Sequence, residues 1–126
     1  MLDYTDASGS INVNLATGAV SSDGEGSADT VANFENVLGS ANNDTIVGST
    51  GNETIAGGAG DDSLDGGDGS DTLFFGLVSN DLTINLNTGA VTGEGNDTVS
   101  NFESVVAGTG NDSITGSNGT ERVWGN

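Results

Sequence analysis

A nine-residue repeat between Gly39 and Phe74 constrains the fold of this chain more than any other feature. Four consecutive units, GSANNDTIV, GSTGNETIA, GGAGDDSLD and GGDGSDTLF, each begin with Gly. The sixth place of every unit is acidic and the eighth place is aliphatic. Because both columns keep the same spacing through all four units, we expect the stretch to fold as a regular stack of equal units.

The two halves of each unit favour different local structures. The first six residues favour a turn, because Gly and Asn tolerate positive φ and short polar side chains bond nearby backbone groups. The last three residues, as in Thr45-Ile46-Val47, suit a very short strand with one side chain turned inward. Two units therefore form one coil of eighteen residues. The acidic column is Asp44, Glu53, Asp62 and Asp71, and the aliphatic column is Ile46, Ile55, Leu64 and Leu73.

Units that lie eighteen residues apart are expected to stack on the same edge of the coil. Asp44 then lies over Asp62, and Glu53 lies over Asp71, at the usual strand spacing of about 4.8 Å. A cation midway between two stacked turns would be about 2.4 Å from oxygens of both turns, which suits Ca²⁺, whereas Mg²⁺ prefers about 2.0–2.1 Å. The spacing therefore predicts several calcium ions between the turns.

The rest of each calcium shell must come from the backbone. Two carboxylates supply only part of the roughly six to eight oxygens that calcium takes, and glycines allow backbone carbonyls to point inward. The candidate carbonyl ligands are Gly39, Gly57, Gly60, Gly66 and Gly69. A disordered acidic spacer or a set of merely solvated turns would explain the composition, but it would not explain the aliphatic column.

The repeat closely resembles the calcium-binding nonapeptide G-G-x-G-x-D-x-U-x of the RTX (hemolysin-type) family. The resemblance implies an all-β fold, a right-handed parallel β-roll or β-solenoid with calcium ions in rows between stacked turns. It also implies a secreted bacterial protein that is exported in one step by a C-terminal signal. The expected location is therefore extracellular or at the cell surface. The first residues lack the basic region and apolar run of a cleaved signal peptide, as this route predicts.

The charge of the chain excludes several kinds of partner and site. Nineteen acidic residues face one basic residue, Arg122, which gives a formal net charge of −18. Such a chain repels nucleic acid and anionic membranes, and no stretch approaches the length of a membrane span. The absence of Cys and His excludes disulfides, thiolate or imidazole metal sites and His-dependent triads. Because the chain also repels itself, we expect calcium binding and folding to be one event.

A longer internal repeat divides the chain into two copies of a module. INVNLATGAV at 11–20 returns as LTINLNTGAV at 82–91, an offset of 71, and DTVANFENV at 29–37 returns as DTVSNFESV at 97–105, an offset of 68. The first copy spans residues 1–72. The second copy spans residues 73–126, and its nonapeptide array is cut to two units at 107–124. Those units place Asp112 and Glu121 in the acidic column and Ile114 and Val123 in the aliphatic column.

The segments between the arrays carry strand and turn signals. Alternation places Ile11, Val13 and Leu15 on one face of a half-buried strand, and Leu82, Ile84 and Leu86 on the face of its counterpart. Asp97 and its counterpart Asp29 are predicted members of degenerate turns. Glu35 and Glu103 either add ligands or face solvent, and the sequence does not decide between these alternatives.

The repeat loses its turn glycines between residues 75 and 83. Counting eighteen residues onward gives Asp62 the neighbour Asn80 and gives Asp71 the neighbour Gly89. Calcium sites there are therefore expected to be weak, absent or rebuilt from other oxygens. Phe74, Phe75, Leu77 and Val78 are expected to form an apolar seam between the two copies.

Two function classes agree with these features. The first is a structural, calcium-binding module of a secreted adhesin, surface-layer protein or toxin that folds outside the cell. The alternative is a calcium-stabilised polysaccharide-binding module attached to a secreted enzyme, although only Arg122 could face an acidic polymer. No catalytic acid/base pair is predicted, because the repeat assigns its carboxylates to metal or solvent. Unpaired coils at both ends of the chain predict end-to-end self-association.

Overall fold

Short strands joined by turns make up the regular structure of this chain. The computed structural model describes residues 1–117 and 121–125. The described residues form no helix, and hence none that is long and apolar enough to cross a membrane. In chain order the described strands are β1 (Leu2–Asp3), β2 (Ile11–Asn14), β3 (Ala19–Asp23), β4 (Asp29–Thr30), β5 (Asn36–Leu38), β6 (Thr45–Ser49), β7 (Thr54–Ala56), β8 (Ser63–Gly67), β9 (Thr72–Phe74), β10 (Thr83–Asn85), β11 (Ala90–Thr92), β12 (Asn96–Ser100), β13 (Ser104–Val106), β14 (Ser113–Thr115) and β15 (Arg122–Trp124).

One of the two sheets is entirely parallel within the described residues. Its strand order is β1-β5-β7-β9-β13-β15. The pairing of β7 with β9 places Ile55 opposite Leu73, and the pairing of β9 with β13 places Leu73 opposite Val105. The inward side chains of successive strands therefore stack in one line.

The second sheet mixes parallel and antiparallel pairs. Its strand order is β14-β10-β11-β12-β8-β6-β2-β3-β4. The neighbours β12-β8, β8-β6, β6-β2 and β10-β14 are parallel. The groups β2-β3-β4 and β10-β11-β12 are antiparallel meanders, and they contain the segments that the longer sequence repeat relates.

The nonapeptide units alternate between the two sheets. The first and third units contribute β6 and β8 to the mixed sheet, and the second and fourth contribute β7 and β9 to the parallel sheet. Thr45 pairs with Ser63, and Thr54 pairs with Thr72, so units eighteen residues apart are direct neighbours. This register confirms the predicted two-unit spacing. β7 and β9 are three residues long as predicted, whereas β6 and β8 have five residues and extend over the first two residues of the next unit.

The aliphatic column forms the core between the strands. Ile46, Ile55 and Leu73 are fully buried and Leu64 is nearly so. Burying each of these side chains contributes about 1.5–3 kcal/mol relative to exposure. The predicted alternation in the meanders is confirmed as well, because Ile11, Val13, Leu82 and Ile84 are buried, while Leu15 and Leu86 are half-buried against the same cluster.

The predicted neighbours Asn80 and Gly89 are wrong. The strand beside β8 is β12, with Thr98 opposite Ser63, and not the segment that follows β9 directly. The meander β10-β11-β12 reverses the chain twice and returns residues 96–100 to the edge of β8. Counting in steps of eighteen fails here because two antiparallel strands are inserted into the mixed sheet alone.

The apolar seam at the junction of the copies forms only in part. Phe75 and Val78 are buried in the core cluster, and the N–H of Phe75 donates to the carbonyl of Val106 on β13. Leu77 is 87% exposed, so its predicted place in the seam is wrong. The N–H of Val78 donates to the carbonyl of Phe75, and this tight turn directs Leu77 outward.

Candidate metal centre

Three buried aspartates form a row along the mixed sheet, one on each of three neighbouring strands or turns. Asp44, Asp62 and Asp97 are 2%, 3% and 5% exposed. The backbone N–H of Asp44 donates to Oδ1 of Asp62 at 2.8 Å, and that of Asp62 donates to Oδ1 of Asp97 at 3.0 Å. Oδ1 of Asp44 accepts the N–H of Ile11 at 2.9 Å. The predicted stacking of Asp44 with Asp62 is therefore confirmed.

A second acidic row follows the parallel sheet. The N–H of Glu53 donates to Oδ1 of Asp71 at 2.7 Å, and the N–H of Asp71 donates to Oε2 of Glu103 at 2.9 Å. Glu53 and Asp71 are buried, and Glu103 is half-buried. The structure thus joins Glu103 to the row, whereas the side chain of its counterpart Glu35 is exposed.

These carboxylates differ in the number of hydrogen bonds that they accept. Oδ2 of Asp44 accepts the N–H of Ser40 at 2.6 Å, and its Oδ1 also accepts the Ser40 hydroxyl at 3.0 Å. Glu53 receives the N–H of Ser49 at 3.1 Å and its hydroxyl at 2.6 Å. In the third and fourth units Gly occupies the place of these serines. These glycines have no hydroxyl to donate, and no described hydrogen bond joins their N–H groups to Asp62 or Asp71. The N–H of Gly67 donates instead to Oδ1 of Asp65 at 3.2 Å.

Among the described residues, two side-chain oxygen atoms are buried without a hydrogen-bond partner, Oδ2 of Asp62 and Oδ2 of Asp71. Burial raises the pKa of Asp62 to about 7, and the nearby carboxylates of Asp97 and Asp44 add to the increase. Burial likewise raises the pKa of Asp71 to about 6, with a contribution from Glu53. A buried, unpartnered carboxylate oxygen is costly, so each atom is suited to a proton or a metal cation.

The first glycine of each unit provides space for the acidic side chain of that unit. A Cβ at Gly57 would collide with Oδ2 of Asp62, and a Cβ at Gly66 would lie 2.9 Å from Oδ2 of Asp71. The same relationship links Gly39 with Asp44, Gly48 with Glu53 and Gly116 with Glu121. At these five glycines a Cβ would occupy the volume beside the carboxylate, where a cation would bind.

Backbone carbonyls also approach the neighbouring turn closely. The carbonyl oxygen of Gly57 would collide with a Cβ at Gly39, and those of Gly66 and Gly60 would collide with a Cβ at Gly48 and Gly95. Gly69 makes the same close approach to the carbonyl of Gly51. The carbonyl oxygens of the predicted ligands Gly57, Gly60 and Gly66 therefore point between stacked turns. Gly39 and Gly69 lie against the carbonyls of Gly57 and Gly51 on the neighbouring turns.

The remaining predicted ligands lie near the ends of the sheets. Oδ1 of Asp112 accepts the N–H of Leu82 at 3.0 Å, as Asp44 does with Ile11. Glu121 accepts the N–H of Ser117 at 3.0 Å and also its hydroxyl. Asp29 is exposed on β4 at the end of the mixed sheet. Residues 118–120, within the last predicted unit, and residue 126 lie outside the described residues.

An outer ladder at the fifth place of the units escaped sequence reasoning. Oδ1 of Asn43 accepts the N–H of Asp61 at 2.9 Å, and Oδ1 of Asp61 accepts the N–H of Asn96 at 2.8 Å. On the other edge, Oδ1 of Asn52 accepts the N–H of Ser70 at 2.9 Å. The signal was present in the sequence, since Asn or Asp stands at this place in three of the four units between Gly39 and Phe74. It reflects hydrogen bonds from the backbone N–H of one turn to the side-chain oxygen of the neighbouring turn.

This donor set fits calcium, which binds carboxylate and backbone carbonyl oxygens. It contains only oxygens, and no group of three or more acidic side chains within residues 1–117 and 121–125 is arranged to hold an ion by itself. A cation at Asp62 or Asp71 would therefore complete its shell with carbonyls of the adjacent turns, as flexible calcium shells do. The two unpartnered Oδ2 atoms are the first oxygens that such an ion would take.

Comparison with known families agrees with this assignment. The model of the RTX calcium-binding nonapeptide repeat matches the chain in four copies, over residues 38–73, 47–81 and 100–126. These ranges cover more than half of the chain and include both nonapeptide arrays. Comparisons with curated proteins and with solved structures gave no significant match.

Proposed function

Because the chain belongs to the RTX calcium-binding nonapeptide repeat family, we propose that it is a structural, calcium-binding module of a secreted bacterial adhesin, surface-layer protein or toxin. Repeats of this family bind calcium and are typical of secreted bacterial proteins. The observation that carries the proposal is the pair of buried, unpartnered Oδ2 atoms of Asp62 and Asp71 between stacked turns. In this role the carboxylates bind metal and perform no catalysis.

The proposed ligands follow the two acidic rows. The proposed ligands along the mixed sheet are Asp44, Asp62 and Asp97. Those along the parallel sheet are Glu53, Asp71 and Glu103. The carbonyls of Gly39, Gly57, Gly60, Gly66 and Gly69 complete the shells. The proposed calcium sites near the ends of the sheets, at Asp112, Glu121 and Asp29, are weaker or incomplete. Asp62 and Asp71 are the strongest of these places, because no serine saturates their carboxylates.

The proposed overall architecture is a parallel β-roll built from two copies of one module, residues 1–72 and 73–126. Matching contacts in the two copies support this division. Leu2 pairs with Val37 as Leu73 pairs with Val105, and Asp44 accepts the N–H of Ile11 as Asp112 accepts that of Leu82. Alternation of successive units between two sheets supports the roll.

Calcium is proposed to be required for folding. The formal charge of −18 opposes compaction, and both acidic rows place carboxylates on neighbouring strands. Ions between the turns remove this repulsion, so their binding free energy becomes folding free energy. The module would then remain unfolded at low cytoplasmic calcium and fold outside the cell, where oxygen sites of modest affinity fill.

Circular dichroism during a calcium titration of the chelated protein tests this proposal. We expect a cooperative gain of β signal with calcium, and little gain at equal concentrations of magnesium, which adopts a stricter octahedral shell. A β-rich spectrum that persists unchanged in chelator would overturn metal-coupled folding. An equal response to magnesium would overturn calcium selectivity.

A duplicated cleft favours one alternative function, a calcium-stabilised polysaccharide-binding module attached to a secreted enzyme. A cleft of about 420 Å³ is lined by residues that include Leu86, Asn101, Phe102 and Glu103. Its counterpart in the first copy, about 280 Å³, is lined by Leu15, Asn33, Phe34 and Glu35 among others. Aromatic, amide and carboxyl groups suit a neutral glycan. Specific retention on a glycan array in the presence of calcium would favour this alternative over a purely structural role.

A further inference from the structure

Two kinds of turn occur in the array between residues 39 and 74, and they differ in the residue at the second place of the unit. Ser40 and Ser49 stand there in the first two units, and Gly58 and Gly67 in the next two. Each serine donates both its backbone N–H and its hydroxyl to the acidic side chain of its own unit. No described hydrogen bond joins either glycine to the acidic side chain of its unit. The first kind is called the serine turn below, and the second kind the glycine turn.

Asp44 and Asp62 allow a direct comparison of the two kinds of turn. Both are sixth-place aspartates along the mixed sheet, and they are 2% and 3% exposed. Oδ1 of each accepts a backbone N–H from the neighbouring strand or turn, that of Ile11 at 2.9 Å and that of Asp44 at 2.8 Å. Oδ2 of Asp44 accepts the N–H of Ser40 at 2.6 Å, whereas Oδ2 of Asp62 is buried without a partner. The difference between two otherwise equivalent carboxylates thus follows the second-place residue.

The backbone of the two kinds of turn differs as well. Gly58 and Gly67 adopt positive φ, +100° and +95°. Ser40 and Ser49 do not. Because a side chain is disfavoured at positive φ, serine holds the turn in the conformation whose N–H donates to the carboxylate. In the glycine turn of the fourth unit the N–H of Gly67 donates instead to Oδ1 of Asp65 at 3.2 Å. The second-place residue therefore controls the direction of a backbone donor and also supplies or withholds a hydroxyl.

The serine hydroxyls are oriented by a second hydrogen bond. Oγ of Ser40 accepts the N–H of Asn42 at 3.1 Å, and Oγ of Ser49 accepts the N–H of Gly51 at 3.1 Å. Asn42 and Gly51 are the fourth-place residues of their units. A hydroxyl has one proton to donate, and each serine gives it to the carboxylate while its oxygen accepts from the fourth place. Toward the carboxylate the serine is therefore a donor, which is the role that a cation would otherwise have.

From these contacts we propose that the second-place serines Ser40 and Ser49 lower the calcium affinity of their own units, so that calcium fills the glycine turns at Asp62 and Asp71 first. The inference rests on the proposed function, since it concerns the same calcium-binding turns. The hydrogen bonds of a serine turn stabilise the negative charge that calcium would also stabilise. An ion at a serine turn competes with these hydrogen bonds for the carboxylate oxygens, whereas an ion at a glycine turn takes an oxygen that has no partner.

The two coils of the array then differ in how they are held together. In the first coil, residues 39–56, hydrogen bonds from the serines take the place of metal at the carboxylates. In the second coil, residues 57–74, calcium must supply this stabilisation. A hydrogen bond to a charged group shifts an equilibrium by about tenfold or more, so the serine turns should need at least about ten times more calcium than the glycine turns.

Direct binding measurements on the folded protein test the sign of the serine effect. Equilibrium dialysis with radioactive calcium is carried out above the calcium concentration that completes the β signal in circular dichroism. Ions that bind in this range should bind several-fold more tightly to the double variant Ser40→Ala, Ser49→Ala than to the unaltered protein. The double variant Ser40→Gly, Ser49→Gly should gain about tenfold, because glycine also allows the N–H to turn away. Ser63→Ala, at an exposed serine of β8, is the matched control and should leave the binding curve unchanged.

Serine hydroxyls that act as calcium ligands would give the opposite sign, because their removal would weaken binding. Weaker binding by the alanine variant, or unchanged binding curves for both double variants, would overturn the proposal. Circular dichroism in calcium checks that the variants fold, and Ser49→Ala alone, at a half-buried position, provides the test if a double variant loses its β signal. Carbon-13 NMR of the Glu53 carboxyl should then show this group responding at lower calcium than in the unaltered protein. Absence of any calcium binding by the unaltered protein would instead overturn the proposed function itself.

Discussion

The backbone N–H of Asp44 donates a 2.8 Å hydrogen bond to Oδ1 of Asp62, its neighbour eighteen residues onward. Asp62 repeats the relationship with Asp97 at 3.0 Å. One oxygen of Asp62 thus holds two stacked turns together, while the other remains buried without a partner. Electrostatic repulsion between such carboxylates opposes the stacking of the turns. A cation bound at the unpartnered oxygens would turn this repulsion into attraction.

Asp62→Asn should weaken calcium binding, because it removes the charge and one oxygen from a buried carboxylate that has an unpartnered oxygen. Loss of a supporting group near a metal costs about 10–100-fold in affinity, and loss of a direct ligand should cost at least as much. Isothermal titration calorimetry measures the change. Asp61→Asn is the matched control, since Asp61 is exposed and its role as acceptor for Asn96 survives in an amide. Equal losses in both variants would argue against a ligand role for Asp62.

Folding without calcium should become less unfavourable as pH falls, whereas calcium-driven folding should weaken as pH falls. The pKa values of Asp62 and Asp71 rise from 3.8 to about 7 and about 6 in the fold. Between about pH 4 and 7 the folded state then binds more protons than the unfolded state, so its free energy of unfolding falls as pH rises.

Calcium binds the ionised carboxylates, so its affinity should rise through the same pH window. Circular dichroism at pH 5 and pH 8 separates the two effects. In chelator any β signal should be larger at pH 5, whereas the calcium concentration that gives half of the folded signal should be lower at pH 8. A larger β signal in chelator at pH 8 than at pH 5 would contradict the assignment of these buried acids.

Gly58→Ala should be far more damaging than Gly26→Ala, although both glycines have positive φ, +100° and +93°. The backbone strain of an alanine in such a conformation costs about 1–2 kcal/mol in each case. A Cβ at Gly58 would also collide with the carbonyl of Ser40 on the neighbouring turn, whereas a Cβ at Gly26 meets no atom within 4 Å. Urea unfolding in calcium should show the difference, and equal costs would mean that the turns are not stacked this closely.

Leu73→Ala should lower the free energy of unfolding in calcium by about 2–5 kcal/mol, because it empties a fully buried position of the aliphatic column. Leu77→Ala is its control. Leu77 is 87% exposed, and a change there should stay within about 0.5 kcal/mol. Chemical unfolding of the two variants in calcium provides the comparison, and a large loss for Leu77→Ala would place that side chain against a surface not seen in the single chain.

The sequence predicted correctly those strand pairs that follow from the constant spacing of the repeat. The stacking of Asp44 on Asp62 and of Glu53 on Asp71 follows from a two-unit coil, and the burial of Ile11 and Val13 follows from alternation in one strand. It failed for the neighbours of Asp62 and Asp71 at the junction of the copies. Asp97 and Glu103 occupy those positions because an antiparallel meander brings them back from a distance of more than thirty residues.

The sequence by itself determined the repeat, the two columns and the oxygen-only chemistry, because a nine-residue period forces equivalent side chains into equivalent places on every turn. Only the tertiary structure decided which carboxylates keep an unpartnered oxygen. Ser40 and Ser49 donate both an N–H and a hydroxyl to Asp44 and Glu53, whereas the N–H of the glycine that corresponds to Ser49, Gly67, turns to Asp65, and Oδ2 of Asp62 and of Asp71 stays without a partner.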